Sequence, residues 1–284
     1  MKIKQKFTIS QLLLIGTLLL FLILLFLPVW FSLVVSFTSS IASLKGGLHF
    51  WPKIFSLEGY GILFNSINYL RPILNSAFVT IVGTCSHVIF CSLAAYTLIQ
   101  ARVPGIKWIT VFILITMAVP QQVLMIPTYL LYKDLGLINT YASLMIYSVV
   151  QGFSILLMHS YFKGIPLALA ESARIDGAKE WQIYWKIYVP MGIPGLVTIF
   201  MFDAVSRWNN YTAALLFITK PELYTVQLTL KTLVGATEQA SSNFIIAPNT
   251  QMAAVVVGLL PLVILYVFLQ KLVIKGTNAG AVKE

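Results

Sequence analysis

The chain has 284 residues, 58% of them hydrophobic and only 10% charged, with a mean hydropathy of +0.87. An ordinary soluble domain carries about 25% charged residues, and no water-soluble fold of this length could hide so much apolar surface, so soluble enzymes and soluble binding modules are excluded and the bilayer is the natural solvent. The formal net charge of +10 fits basic residues that flank spans and hold loops inside, and no basic run with interleaved aromatics points to nucleic acid.

Lys2, Lys4 and Lys6 precede an apolar stretch over 9–37, and Ser40-Ile41-Ala42 looks a little like a cleavage site. At 29 residues the stretch far exceeds the core of a signal peptide, about 7–15 residues, and reads as an uncleaved first span. Further spans are expected over 72–99, 108–132 (interrupted by Pro120 and Pro127), 141–162, 191–218 and 252–270, which contains Pro261. Each is long enough for the roughly 20 helical residues that cross a bilayer. The expected fold is therefore an all-α membrane protein of six transmembrane helices in a single domain over 1–284. With both termini inside, 12 Lys and Arg fall on inner segments and 7 on the outer side and the fifth span, which supports that orientation.

Two outer loops, 38–71 with Trp51 and Tyr60 and 219–251, are long and partly polar, placed either to touch an outer partner or to serve as solvated connections. Cys85 and Cys91 read as small buried apolar residues, and His49, His87 and His159 match no metal-ligand spacing.

The inner loop over 164–190, at 27 residues, exceeds the roughly 2–8 of an ordinary helix–helix connection. Pro166 suits the first turn of a helix over 167–176, and Gly177 permits the left-handed turn that ends it. A second helix is expected over 178–188, stopping before Pro190, with Asp176 capping it. Trp181, Tyr184, Trp185 and Tyr188 then form one aromatic stripe, suited to a helix at the membrane surface or packed on the spans.

Glu171, Ala173, Gly177, Ile187 and Pro190 fall in the register of the signature loop of bacterial ABC-importer permeases, with Ser172 in place of the usual first Ala. Ile175-Asp176-Gly177-Ala178 resembles the form this motif takes in the sugar-importing branch. Trp208-Asn209-Asn210-Tyr211, Gly136-Leu137-Ile138-Asn139-Thr140 and the tail over 275–283 resemble elements of the maltose-type permeases, so the likeness covers nearly the whole chain. The long Trp-bearing first outer loop is most similar to the branch that imports complex oligosaccharides with a lipoprotein receptor.

The resemblance implies a type I ABC-importer permease in the bacterial inner membrane, working with a second homologous permease, two ATPase subunits that bind ATP and Mg, and an extracytoplasmic solute-binding protein. It implies that the loop is a coupling helix seated on the ATPase through Leu169, Ala170, Glu171, Ser172, Ala173, Asp176, Gly177 and Ala178. Glu171 would accept charge-assisted hydrogen bonds there. It also implies that the tail, with Gly280, Ala281, Val282 and Lys283, reaches the ATPase interface. The sequence has no phosphate-binding loop of the Gly-x-x-x-x-Gly-Lys-Ser/Thr type, so ATP would bind elsewhere, with no cofactor in this chain and no catalysis by it.

Sugars are held by hydrogen bonds and aromatic stacking, which makes Asn75, Tyr147, Gln151, Asp203, Arg207, Trp208 and Asn209 candidates for the substrate path. Asp203 and Arg207, spaced i, i+4, are able to pair within the fifth span. Functional charges and helix–helix glue, with Arg207 near the outer surface, remain equal readings for them. Two alternatives stay open: an ion-coupled secondary transporter, which needs intramembrane carboxylates or unwound ion sites, and an ABC permease for a non-sugar solute. A structural membrane scaffold without a substrate path is a further one.

Overall fold

The computed structural model describes residues 8–100, 104–238 and 246–281, with backbone alone for 236–238 and 271–281. Among the described residues the chain is helical throughout, and extended pairing is confined to a single bridge between Thr38 and Phe55.

In chain order, α1 (Ile9–Ser36) takes up the first apolar stretch and carries Pro28 inside it. Two short helices follow in the first loop, α2 (Ser40–Leu44) and α3 (Glu58–Asn65), and then α4 (Leu70–Leu98). The third stretch divides into α5 (Ile106–Ala118) and α6 (Gln121–Asp134), bent by 99°. Pro120 causes the bend: it drives Val119 into the extended region, where φ is −79° and ψ 119°. Pro127 lies within α6.

The fourth stretch departs from the expected continuous helix. It forms α7 (Tyr141–Ile146), an irregular segment over 147–151 that includes Ser148 at φ 60°, and α8 (Gly152–Lys163). The loop after it gives α9 (Leu167–Ile175), α10 (Glu180–Ile183), a π-helical turn over Tyr184–Tyr188 and α11 (Val189–Met191). The expected stop before Pro190 is thus corrected: the helix continues through this proline and turns by 79° only at Gly192. A π turn shifts the hydrogen-bond register of the preceding backbone, which is where a residue with no N–H does least damage.

The fifth stretch is also divided, into α12 (Ile193–Trp208) and α13 (Tyr211–Phe217). The Asn210 side chain accepts from Ala213 N at 2.9 Å and so caps α13. After a short 3-10 turn at Pro221–Leu223, the second outer loop contains a further helix, α14 (Val226–Glu238), before α15 (Pro248–Ala281). Three of these helices are long and apolar enough to cross a membrane, or up to six elements if each bent pair is one span.

The chain forms two compact units, Met1–Leu70 with Leu230–Leu259, and Arg71–Thr229 with Leu260–Glu284. In the first, the buried Asn249 amide donates to Thr38 O at 3.0 Å and Ser40 Oγ at 3.2 Å, and Tyr69 Oη donates to Ala254 O at 3.2 Å. In the second, α4 is the shared wall of two apolar cores. One holds Ala95, Tyr96, Met158, Phe162, Tyr184 and Tyr188, the other Val79, Leu144, Ala214 and Phe217. Between these positions, α4 presents the fully buried Thr84 and His87. Cys91 is buried as expected, whereas Cys85 is exposed, because it points away from both cores.

Candidate functional site

The segment between α8 and α12 is built from the chemistry of its own turn. α9 ends where Asp176 gives way to Gly177 at φ 81°, a left-handed conformation that costs a residue with a Cβ roughly 1–2 kcal/mol. Ala178 N donates to Ala173 O at 2.9 Å and Gly177 N to Arg174 O at 3.0 Å, the paired bonds that satisfy the last carbonyls of a helix closed by glycine. Asp176 is the C-cap of α9, and Lys179 is the N-cap of α10. The expectation that Asp176 caps the second helix is therefore corrected: its backbone N–H is spent on Ser172 O, and three residues separate it from α10. Gln182 Oε1 instead accepts from Lys179 N at 2.9 Å. Pro166 stands one position earlier than expected, at the N-cap of α9.

Side chains fasten this turn to α4. Arg174 donates from Nε to Glu180 Oε1 at 2.8 Å, and from Nη2 to Glu180 Oε2 at 3.3 Å and Gln100 Oε1 at 2.9 Å. Tyr96 Oη donates to Glu180 Oε2 at 2.6 Å. The Glu180 carboxylate raises the Arg174 guanidinium above its ordinary pKa, against a smaller opposing effect of burial. Behind the pair, the Tyr96 ring lies between Tyr184 at 5.4 Å and Tyr188 at 5.0 Å, and Ser92 Oγ meets Tyr184 Oη at 2.7 Å.

The expected aromatic stripe is therefore split. Tyr184 and Tyr188 are in the core, while Trp181 and Trp185 are 60% and 50% exposed. The π turn changes the angular step between these residues, so helical spacing does not keep the four on one face.

α9 buries Ala170 and exposes the rest of the candidate docking residues: Leu169, Glu171, Ser172, Asp176 and Gly177 are exposed, and Ala173 and Ala178 half-buried. Leu167 and Ile175, the latter 86% exposed, add apolar surface that the described residues leave uncovered. Next to them an open hollow of about 440 Å³ is lined by Ala173, Asp176, Gly177, Gln182, Lys186 and Ile187, among others. Of the tail candidates, Gly280 and Ala281 end the α15 backbone, and Val282 and Lys283 lie outside the described residues.

The substrate-path candidates do not form one exposed site. Asn75 is buried, donating to Glu222 O and Tyr224 O at 2.9 Å each and accepting from Tyr141 Oη at 2.7 Å. Trp208 is buried beside a small apolar groove that Ala77, Thr80 and Pro261 also line. Tyr147 is half-buried, its ring edge-on to Phe217 at 5.6 Å. Asn209 is exposed and holds Gln227 Nε2 at 3.1 Å.

Asp203, Arg207 and Gln151 come together, with partners that sequence reasoning missed. Asp203 accepts from Thr84 Oγ1 at 2.7 Å, Arg207 Nε at 3.1 Å and Nη2 at 3.4 Å, and Gln151 Nε2 at 3.5 Å. His87 faces the break between α7 and α8. Its Nδ1 lies 3.1 Å from Val149 O, its Nε2 lies 2.8 Å from Ser154 Oγ, and Asp203 Oδ1 stands 3.8 Å from Nδ1. Since a carbonyl only accepts, Nδ1 carries the proton and Nε2 receives the Ser154 hydroxyl. The available signal was the one histidine of α4, three residues from Thr84.

Bent and broken apolar helices around a short exposed helix, fastened at its end by an ion pair, define a multi-pass membrane permease. Residues 87–278 match the family described as "Binding-protein-dependent transport system inner membrane component", and the chain belongs to that family. It is accordingly a non-catalytic inner-membrane subunit of an ABC transporter. It is 30% identical to the polygalacturonan/rhamnogalacturonan transport system permease protein YtcP of Bacillus subtilis, over 98% of this chain and 100% of that one. It is 31% identical to protein LplC of the same organism, over 90% and 89%. Its fold matches a chain in the crystal structure of a bacterial ABC transporter involved in the import of the acidic polysaccharide alginate, with a TM-score of 0.81, 28% identity, and 94% and 99% of the two chains covered.

Proposed function

We propose that this permease forms half of the translocation path for a sugar or oligosaccharide, and that force from a separate ATPase enters it through α9. The observation that carries the reading is the contrast within the loop. Its outer face exposes Leu167, Leu169 and Ile175 beside Glu171 and Ser172, while its end is bolted to α4 through Arg174, Glu180 and Tyr96. An uncovered apolar helix face in water requires a partner, and a lever must be stiff where it meets the body it moves.

On this reading ATP and Mg are bound by two partner ATPase subunits, and a second homologous permease completes the path. An extracytoplasmic binding protein delivers the solute, and the tail over 280–283 reaches the ATPase interface. Both termini are cytoplasmic, and the six apolar stretches are the spans. The polysaccharides named for YtcP and for the alginate transporter support a carbohydrate substrate.

The test is purification of the chain from mild detergent with its bound partners, together with crosslinking from a cysteine at Ser172. A nucleotide-binding subunit should co-purify and accept the crosslink, and vesicle uptake should be vanadate-sensitive. A chain that purifies alone, with no crosslink from Ser172, would overturn the assignment of the loop.

A further inference from the structure

The break between α7 and α8 presents a problem that the membrane makes acute: a helix interrupted within an apolar stretch leaves carbonyls without partners, and in hydrocarbon each costs several kcal/mol. Every carbonyl from Leu144 to Val149 nevertheless has a donor. Arg207 Nη1 donates to Leu144 O at 2.8 Å and to Met145 O and Tyr147 O at 3.1 Å each. Val149 N serves Ile146 O, Gln151 Nε2 serves Ser148 O, and His87 serves Val149 O. One guanidinium thus collects three of the six carbonyls and also the Asp203 carboxylate, with the two side chains only 5% and 2% exposed.

Backbone carbonyls at the broken end of a helix, together with a carboxylate, are the kinds of oxygen ligand that hold a coupling cation in ion-driven carriers. Here the last turn of α7, Tyr147 O and Asp203 surround one guanidinium, the carbonyls on its Nη1 edge and the carboxylate on its Nε and Nη2 edge. We propose that Arg207 is a tethered cation: it occupies a site of monovalent-cation type built by the α7–α8 break and Asp203, and so closes it to free ions. The pair is then neither a sugar contact nor generic glue. Asp203 neutralises the guanidinium, and the guanidinium caps the break.

Arg207 is held in place from the far side by Gly83, whose missing side chain makes room for it. A Cβ there would stand 2.7 Å from Arg207 Nε and 2.8 Å from its Cζ. Lysine would not substitute, because one ammonium lacks the planar fork that reaches a carboxylate and three carbonyls together.

The experiment uses the assembled importer with Arg207→Ala, and reads thermal stability and uptake in sodium, choline or guanidinium chloride at matched millimolar concentration. Removing one partner of a buried pair leaves the other uncompensated, so uptake should fall at least about tenfold. Guanidinium should raise both readouts in the variant while leaving the wild type unchanged, and choline should do nothing. A variant that behaves as wild type, or one that guanidinium does not restore, overturns the proposal. Gly83→Ala, which displaces the guanidinium without deleting it, should lower the melting temperature, and no shift there counts equally against it.

In the wild type, uptake should survive collapse of the sodium and proton gradients. Dependence on either gradient overturns the tethered cation, whereas loss of ATP dependence overturns the importer reading instead, so the two fail separately.

Discussion

The two irregular segments of the larger unit solve opposite problems. The break over 147–151 is half-buried except at Val150, and every carbonyl from Leu144 to Val149 is answered by a side chain or by the chain's own N–H. The loop over 164–190 turns on backbone bonds at Gly177 and leaves Leu167, Leu169, Glu171 and Ile175 exposed. Irregular backbone inside the membrane region survives only where it is completely satisfied. Irregular backbone that meets a partner must keep something unsatisfied. Changes in the break should therefore cost stability first, and changes in the loop should cost transport while stability holds.

The sharpest way to break that contrast is Asp203→Ala. It strands the Arg207 guanidinium and should destabilise the protein by about 3–5 kcal/mol, read as a large fall in the thermal denaturation midpoint of the detergent-purified complex. A midpoint within error of wild type would mean that the buried network carries no weight. Next comes Gly177→Val. A β-branched residue at positive φ is strained by roughly 1–2 kcal/mol, so it should distort the end of α9. ATP hydrolysis should then proceed with little uptake, or the ATPase should fail to assemble. Normal coupled uptake would remove the loop from the mechanism.

A smaller effect is expected from Asn210→Ala. Loss of the cap on α13 costs about 1 kcal/mol and should appear as faster amide exchange over 211–217, with uptake nearly intact. The smallest loss of stability belongs to Arg174→Ala. Its partner Glu180 is 55% exposed, so solvent limits the pair to at most about 1 kcal/mol. Uptake should nevertheless fall, and the swap of Arg174→Glu with Glu180→Arg should recover part of it. Equal losses of uptake and melting temperature in Arg174→Ala would erase the distinction between the two segments.

The apolar stretches were legible because a helix in hydrocarbon needs only length and low charge, and α1, α4 and α15 follow from that alone. The glycine-ended turn at Gly177 was equally plain, since its chemistry is local. The divisions at 147–151 and 209–210 were not read. Neither contains a proline, and what holds the first one open lies elsewhere in sequence, on His87, Asp203 and Arg207. Two cues were present. A charged pair within an apolar run must find partners, and free carbonyls are the natural ones. Asn210 directly before an apolar run is a capping signal. α14 escaped notice because its polar residues read as loop, and the split aromatic face because a π turn leaves no mark in helical spacing.

None of the 18-residue apolar window of α1 is buried against the rest of the chain. Such a segment gains nothing from its own protein and everything from lipid, which is the first of the two stages by which membrane helices are inserted and then packed. A helix of that kind is suited to settle in the bilayer alone, before any neighbour has packed against it.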